Sequence, residues 1–490
     1  MPESLSIVPA PRYVELGDGP GLALGGGVGL LVGADPAEIA LGVYVARLAE
    51  RIGIGPVDML ALDDGRDQLI ELRLDPAAGP ADSDPAERYS VVVDRRRALV
   101  RAPTVAGLYY GVVTLRQTLR THPAGYVYAP VLRVEDAPRY PWRGLSVDVA
   151  RHFFPVEDIE LVISLMGYYK LNVLHLHLTD DQGWRLDVPS RPGLVERSAG
   201  SAVHGARGGY YTAGEYRRIV TFAASRGITV VPEVDIPGHV NAALHAYGEL
   251  TPSGEPTEAY TGIDVGFSRL TAGLPATGPF LRDVFTDVAA MTPGPYVHLG
   301  GDEVPTLDPA EYEALVGIAH DAVRDAGKTV VAWQEAATAP LAPGSVLQYW
   351  DPRDGHEAII AAAAAGCRVL MSPGSRAYLD MKYDAHYPRG LEWAGHIELR
   401  DAYDWDPGVV IPGLPLESVV GVEAAIWTET LATVDELTEM LLPRLTALAE
   451  VAWSVPARRS WDSYRRRVAA HRDYWDQIGV RWYPSPHVNW

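Results

Sequence analysis

Eight short runs rich in β-branched residues follow one another after residue 138, and segments of helical length separate most of them. Strands that alternate with helices pair in parallel, because each helix carries the chain back across the sheet. The predicted strands are Gly144–Val149, Val173–Leu178, Thr229–Val234, Tyr296–Leu299, Thr329–Ala332, Val346–Gln348, Arg368–Met371 and Gly421–Ile426. Eight strands favour a closed (β/α)8 TIM barrel over an open sheet, so the expected fold class is α/β.

Helices are predicted between only some of these strands. They are Val156–Tyr169, Gly214–Ser225, Ala310–Ala326, His356–Ala365 and Val434–Val451. The fifth and seventh units lack an obvious helix, so we expect irregular helices or long loops there. Residues 374–418 are rich in Tyr, Trp, Asp and Pro, which favours an active-site loop.

The first 137 residues mix both kinds of element and predict a small α+β domain. Two helices are predicted at 36–52 and 105–119, and β-like segments at 68–75, 88–94 and 98–102. A chain of 490 residues is also too long for one ordinary core. Two prolines in residues 135–142 mark a boundary near Pro138, which gives predicted domains 1–137 and 138–490.

Charge and cysteine content exclude several classes of protein. The chain has 63 acidic and 42 basic residues, and its formal charge of −21 repels phosphate backbones and anionic lipid. Nucleic acid and membrane partners are therefore not expected. Cys367 is the only cysteine, which excludes an internal disulfide framework and a multi-cysteine metal site. The first residues lack the pattern of a secretory signal, so we expect a cytoplasmic protein unless a signal has been removed.

Chemically active side chains follow all eight predicted strands. In a barrel of this kind, catalytic groups lie just beyond the carboxyl ends of the strands. A single tryptophan there usually packs in the core, and a single carboxylate usually caps a helix. In strand order the residues are Arg151; Asp180 and Asp181; Asp235 and His239; Asp302 and Glu303; Trp333; Trp350; Tyr378 and Asp380; Trp427 and Glu429. Their coincidence at every strand end is hard to explain by packing, and it predicts an active site.

Carboxylates beside indoles suit a carbohydrate. A pyranose ring has apolar C–H faces that stack on aromatic rings, and its hydroxyls donate to carboxylates. The three indoles of Trp333, Trp350 and Trp427 could also enclose a group the size of an acetamide. The strand ends therefore match a carbohydrate, and an N-acetyl substituent would fit among the indoles.

Six separated motifs within residues 140–455 resemble those of family 20 of the glycoside hydrolases, the β-N-acetylhexosaminidases. The motifs are D-V-A-R-H-F at Asp148–Phe153, H-L-T-D-D-Q-G-W-R at His177–Arg185, P-E-V-D-I-P-G-H at Pro232–His239, H-x-G-G-D-E at His298–Glu303, Y-L-D-M-K-Y-D at Tyr378–Asp384 and W-T-E-T at Trp427–Thr430. The segment Ala106–Leu115 also looks like the helix of the small domain that precedes the barrel in this family. All six motifs occur in order at predicted strand ends.

The resemblance implies a retaining exo-hydrolase that removes terminal non-reducing N-acetylglucosamine or N-acetylgalactosamine. In this family the substrate's own acetamide attacks C1, so the protein supplies no nucleophile and needs no cofactor or metal. By resemblance, Glu303 is the general acid and then the base. Asp302 orients the acetamido N–H and stabilises its developing charge, while Tyr378 donates to the acetamido oxygen.

The resemblance also implies how one sugar is held. Ring hydroxyls would bind Arg151, Asp180, Asp380 and Glu429, while Trp333, Trp350 and Trp427 would enclose the acetamide. Asp235 would orient its neighbours rather than touch the sugar. For His239, a sugar contact and an orienting role both stay open. Expected partners are β-linked N-acetylhexosaminide oligosaccharides or glycoconjugates.

Two other functions compete with this one. His175-x-His177 at a strand end has metal-ligand spacing and would fit a metal-dependent barrel hydrolase, although two histidines hydrogen-bonded within the barrel explain it more simply. A non-catalytic sugar-binding protein would keep the indoles and hydroxyl-binding groups without needing an acid. The adjacent pair Asp302 and Glu303 argues against that alternative.

Overall fold

A computed structural model describes residues 5–490, and its first part is a mixed α+β unit. Its strands are β1 Tyr13–Leu16, β2 Leu22–Leu24, β3 Val28–Leu31, β4 Val57–Leu60, β5 Leu69–Leu74, β6 Tyr89–Val93, β7 Arg97–Ala102, β8 Arg120–Thr121, β9 Val127–Ala129 and β10 Leu132–Asp136. Seven of them form one sheet in the order β1-β10-β6-β7-β5-β3-β4, and β2, β9 and β8 form a second. Two helices, α1 (Pro36–Arg51) and α2 (Val105–Thr118), complete the unit.

The eight predicted barrel strands all form, and they close into one parallel barrel in chain order. They are β11 Trp142–Asp148, β12 Val173–His177, β15 Thr229–Ile236, β16 Tyr296–Gly300, β17 Thr329–Trp333, β18 Val346–Tyr349, β19 Arg368–Met371 and β20 Val419–Ile426. A short hairpin, β13 (Thr179–Asp180) with β14 (Gly183–Trp184), follows the second barrel strand. Closure between β11 and β20 runs in unbroken register from Trp142 opposite Gly421 to Val147 opposite Ile426. The predicted barrel and preceding small domain are therefore confirmed.

Helices surround the barrel, and the fifth and seventh units have only short helices and loops, as expected. They are α3 Val156–Tyr168, α4 Gly193–Ser198, α5 Ala213–Ala224, α6 Asn241–Ala246, α7 Thr277–Met291, α8 Pro309–Asp325, α9 His356–Ala364, α10 Gly374–Ala377, α11 Leu399–Tyr403, α12 Val434–Leu441, α13 Arg444–Trp453, α14 Trp461–Ala469 and α15 Arg472–Ile478. A single 3₁₀ helix, Gln334–Thr338, follows the fifth barrel strand. Among residues 5–490, none of the helices is long and apolar enough to cross a membrane.

The segment predicted as one helix, Val434–Val451, is two helices in the structure. The break lies at Pro443, between α12 and α13. Proline has no N–H to donate and its ring clashes with the preceding turn, so a helix cannot run through it undisturbed. The single-helix prediction was wrong for that reason.

The two parts of the chain share a buried junction. Trp453, at the end of α13, packs in the hydrophobic core of the amino-terminal part rather than in the barrel core. Its indole N–H lies 3.1 Å from both oxygens of Asp136, at the end of β10. The Lys170 ammonium lies 3.4 Å from the same carboxylate and 4.6 Å from the Trp453 ring. A salt bridge and an indole therefore connect the sheet to the barrel.

Candidate active site

A chain of charged side chains links the first four barrel strands at their carboxyl ends. The Arg151 guanidinium lies 2.9 Å from Asp180, and the His239 ring lies 3.3 Å from the other oxygen of that carboxylate. On its far side, His239 Nε2 lies 3.4 Å from Glu303 Oε2. His239 therefore stands between two carboxylates, where it can orient Glu303.

Two of the side chains that link these strands, Asp180 and His239, have well-defined charges. Burial alone would raise the pKa of Asp180, but Arg151 and His239 outweigh it and hold that pKa well below its usual range. Burial likewise opposes a charged His239, yet Asp180 and Asp302 raise its pKa well above the ordinary value. Asp180 is thus an anion and His239 a cation at neutral pH. Of the predicted pair, Glu303 is the more open, with 35% of its side chain exposed.

Asp302 and Asp235 form a carboxyl pair beneath Glu303. Burial, followed by the charge of Asp302, raises the pKa of Asp235 well above its usual range. Burial raises the pKa of Asp302 only to about 6, because the His239 cation opposes the shift. A proton shared by the two therefore resides on Asp235, which leaves Asp302 ionised at neutral pH.

The backbone around these groups is unusual. Glu303 and His239 both have left-handed conformations, with φ of 51° and 55°, which side-chain-bearing residues rarely adopt. Gly300 is required as well, since a Cβ there would lie 1.6 Å from Asp235 Oδ1. Non-glycine residues in this region store strain, and such strain is concentrated at functional sites.

Aromatic rings form the opposite wall. Trp350 and Tyr378 are nearly parallel, with centroids 6.3 Å apart, and Trp427 lies 6.1 Å from Tyr378 and 5.9 Å from Trp333. Arg151 lies over the Trp427 ring at 5.1 Å, so this wall adjoins the charged chain. The rings come from four different strands, which is why their cluster depends on the closed barrel.

Sequence reasoning missed Glu335, two residues beyond the fifth strand. The Trp350 indole N–H donates to Glu335 Oε2 at 3.1 Å. Burial, followed by the charge of Asp302, raises the pKa of Glu335 to about 8. Its position two residues after Trp333 was a usable signal, but only the tryptophan was considered. Glu335 fixes one indole and adds a third carboxyl near Asp302.

Two further carboxylates, Asp380 and Glu429, face the aromatic wall from the seventh and eighth strands. Within residues 5–490, both oxygens of Asp380 are buried without a hydrogen-bond partner, and so is Oε2 of Glu429. Asp302 Oδ1 likewise is buried and has no partner. Buried carboxylate oxygens are costly without donors. A polyhydroxylated ligand would supply donors to all three.

The two histidines at metal-ligand spacing lie deeper in the barrel. His175 contacts Glu423 at 2.9 Å and Glu233 at 3.0 Å, and His177 contacts Glu233 at 2.5 Å and Asp180 at 2.8 Å. Burial opposes protonation, but these carboxylates raise the pKa of His175 to about 9 and of His177 to about 10. The arrangement fits histidines hydrogen-bonded within the barrel.

Glu233 connects this interior to the aromatic wall. Besides His177, it accepts the Trp333 indole N–H at 2.7 Å. His177 in turn contacts Asp180. One buried carboxylate therefore positions residues on both sides of the site. The periodicity of β15 places Glu233 inside the barrel, but its partners come from three other strands and could not be foreseen.

A closed barrel with paired carboxylates and an aromatic pocket at its carboxyl-terminal rim defines a glycoside hydrolase. A model of the glycosyl hydrolase family 20 catalytic domain matches residues 140–456, and a model of domain 2 of that family matches residues 4–137. The chain belongs to glycosyl hydrolase family 20. The predicted enzyme class, a β-N-acetylhexosaminidase, is confirmed.

Individual relatives agree over the full length. The chain is 57% identical to a β-N-acetylhexosaminidase of Cellulomonas fimi, covering 100% of this chain and 98% of the relative. The solved structure of Streptomyces plicatus N-acetyl-β-hexosaminidase in complex with Thio-NAglucal has a TM-score of 0.93 and 40% identity, covering 99% of this chain and 98% of the other. A β-N-acetylhexosaminidase from Streptomyces coelicolor A3(2) also gives a TM-score of 0.93, at 39% identity with 99% of both chains covered.

Proposed function

We propose that Glu303, Asp302 and Tyr378 carry out substrate-assisted hydrolysis of a terminal, non-reducing β-linked N-acetylhexosamine. The observation that carries this proposal is the placement of the adjacent Asp302 and Glu303 carboxyls 3.8 and 3.4 Å from the His239 ring, near enough to Tyr378 to act on it electrostatically. Substrates would be oligosaccharides or glycoconjugates that end in N-acetylglucosamine or N-acetylgalactosamine. The site belongs to residues 138–490, and we propose residues 1–137 as a separate supporting domain.

In the first step, Glu303 protonates the glycosidic oxygen as the bond from C1 to that oxygen breaks. The acetamido oxygen attacks C1 from the opposite face, forming a bicyclic oxazolinium ion whose positive charge lies largely on nitrogen. Ionised Asp302 accepts the acetamido N–H and stabilises that charge, while the Tyr378 hydroxyl donates to the acetamido oxygen. The protein forms no bond to C1.

In the second step, the Glu303 carboxylate takes a proton from water as the water oxygen attacks C1. The bond between C1 and the acetamido oxygen breaks, and the amide is restored. Two inversions at C1 give net retention. His239 acts in both steps by holding Glu303. This role explains why each of its two ring nitrogens contacts a carboxylate.

The remaining residues would hold the sugar ring. Asp380 and Glu429 offer buried acceptor oxygens to ring hydroxyls, and Arg151 offers a donor beside Asp180. Trp333, Trp350 and Trp427 would enclose the acetamide methyl group, whose burial removes apolar surface from water. This arrangement fits one terminal sugar and therefore exo-cleavage.

Comparing an aryl N-acetyl-β-glucosaminide with the matching plain β-glucoside tests this proposal. We expect rapid cleavage of the first with retained configuration by NMR, very slow cleavage of the second, and tight inhibition by a thiazoline that mimics the bicyclic ion. Turnover should persist with EDTA present, unlike that of a metal-dependent hydrolase. Binding without turnover would instead favour a sugar-binding protein, and a fluoroglycosyl adduct trapped on a carboxylate would exclude the substrate-assisted mechanism.

A further inference from the structure

A second cavity, of about 590 Å³, lies between the amino-terminal part and the outer helices of the barrel. Helices α1 and α2 line one side, and α3, α15 and the end of α5 line the other. None of the strand-end residues described above contributes to it. Ligand sites commonly lie between domains, and this volume is typical of a small-molecule pocket.

Four arginines and no carboxylate line this cavity: Arg47, Arg51, Arg116 and Arg226. Within residues 5–490, none of the four has a carboxylate oxygen within ion-pair distance. The carboxylate of Glu160 acts on Arg226, but Arg218 binds it through two hydrogen bonds of 2.8 Å. In a chain with a formal charge of −21, a cavity with only positive side chains is unexpected.

Two of these guanidinium groups are held in place by aromatic rings. Arg226 lies over the Phe222 ring at 3.5 Å, and one of its nitrogens donates to the Phe222 carbonyl at 3.0 Å. Arg116 lies beside the stacked pair of Tyr168 and Tyr474, at 4.7 and 4.8 Å from their ring centroids. A guanidinium already fixed in orientation loses little entropy when it binds an anion, so the cavity is preorganised.

The cavity also offers a neutral donor, the side-chain amide of Gln477, which lines it together with the four arginines. The Ser164 and Ser225 hydroxyls line it as well, but they donate to the backbone carbonyls of Glu160 and Phe222 at 2.8 and 2.7 Å. Arginine forks fit the oxygens of phosphate and sulfate groups through paired hydrogen bonds, and hydroxyls and amides complete such sites. We propose that this cavity binds a small molecule carrying a phosphate or sulfate ester, at a site separate from the sugar-cleaving one.

Titration of the purified full chain with three probes tests the proposal: inorganic pyrophosphate, glucose 6-phosphate and glucose 6-sulfate. These probes lack an acetamide, so the cleavage site does not select them. We expect saturable binding by calorimetry and a higher thermal midpoint, neither of which sodium chloride at equal ionic strength reproduces. The last two probes show whether a phosphate or a sulfate ester is preferred.

The Arg47→Ser/Arg51→Ser double variant should bind the preferred probe at least about tenfold more weakly, because it loses two charge-assisted contacts. Both side chains are exposed, so its thermal midpoint without probe should match that of the wild type. The matched control is Arg458→Ser/Arg466→Ser, which removes two exposed arginines elsewhere and should bind normally. Absence of saturable binding by all three probes, or equal weakening in the control, would overturn the proposal without affecting the proposed hydrolase function.

Discussion

Glu303 is the proposed proton donor and is the residue whose loss should be most specific to catalysis. Replacing it by Gln keeps its size and its contact with His239 but removes the proton. General acid–base catalysis typically contributes about 10²–10⁴-fold, so kcat on a β-linked disaccharide should fall by that amount. Aryl substrates with good leaving groups need less protonation and should lose less in the first step. Wild-type kcat on the disaccharide would show that another group is the acid.

We expect Asp302 to set the acid limit of activity. Its pKa is raised to about 6, mainly by burial, and only the ionised form can stabilise a cationic intermediate. Log kcat/KM, which reports groups of the free enzyme, should therefore fall as the pH drops through about 6. In the Asp235→Asn variant, the acid limb of the kcat/KM profile should stay near pH 6, because Asp235 is already neutral in the wild type. A limb that moves to the ordinary aspartate range near 4 would mean that Asp235 carries charge.

These residues differ in how readily the sequence reveals them. Asp302 and Glu303 could be predicted because a barrel fixes where strand ends meet. The proton on Asp235 could not, since it depends on the burial and spacing of two carboxyls from neighbouring strands. Glu335 was missed for a similar reason: its partner Trp350 comes from the next strand of the barrel.

At the scale of elements, one arginine organises the loops around the site. Arg185 is fully buried and donates to five carbonyl oxygens, those of Val149, Ala150, Ala199, Ser201 and Gly209. These carbonyls belong to the end of the first barrel strand and to the loop after the second. Arg185 therefore replaces the regular backbone pairing that these loops lack.

Replacing Arg185 by Met should lower the free energy of unfolding by about 3 kcal/mol or more, because several buried carbonyls lose a charged donor. KM should rise as well, since Arg151 directly follows one of the released carbonyls. Arg207→Met is the control, because Arg207 is exposed in the same loop. Chemical denaturation and steady-state kinetics measure both effects. Unchanged stability would show that water replaces the guanidinium at these carbonyls.

The sequence predicted those elements that have a clear local signal. All eight barrel strands could be predicted from β-branched runs, whereas α7 was missed although Phe280, Leu281, Val284, Phe285 and Val288 repeat at helical spacing. It begins without a side-chain cap, and a Gly-Pro pair obscures its start. The amino-terminal strands that were missed are mostly two to four residues long, too short for a periodic signal.

Across the whole molecule, the Lys170–Asp136 pair should control stability. Replacing Lys170 by Met leaves Asp136 buried without its cation, which typically costs about 3–5 kcal/mol. The double variant with Asp136→Asn should recover part of that loss. Lys382→Met, which breaks a more exposed pair with Glu392 at 3.2 Å, should cost less than about 1 kcal/mol. Denaturant unfolding measures all three, and equal effects of the two lysine variants would contradict a stabilising junction.

The position of Trp453 in the amino-terminal core could not be predicted. In the sequence, Trp453 lies two residues beyond the predicted helix Val434–Val451, and nothing local shows that it packs in the amino-terminal core. Its place depends on how the two parts dock, which is a property of the assembled chain. The general division into two parts was visible, whereas their shared core was not.

The contacts of residues 6–10 have a consequence for synthesis. Arg467 and His471 donate to the carbonyls of Ile7 and Ser6, and the backbone N–H of Ala10 donates to Glu450. On a ribosome, these early residues emerge more than 400 positions before their partners. At about 5–20 residues per second, they wait on the order of half a minute or longer. These residues thus reach those contacts long after they are made, and a chaperone has that interval in which to bind them.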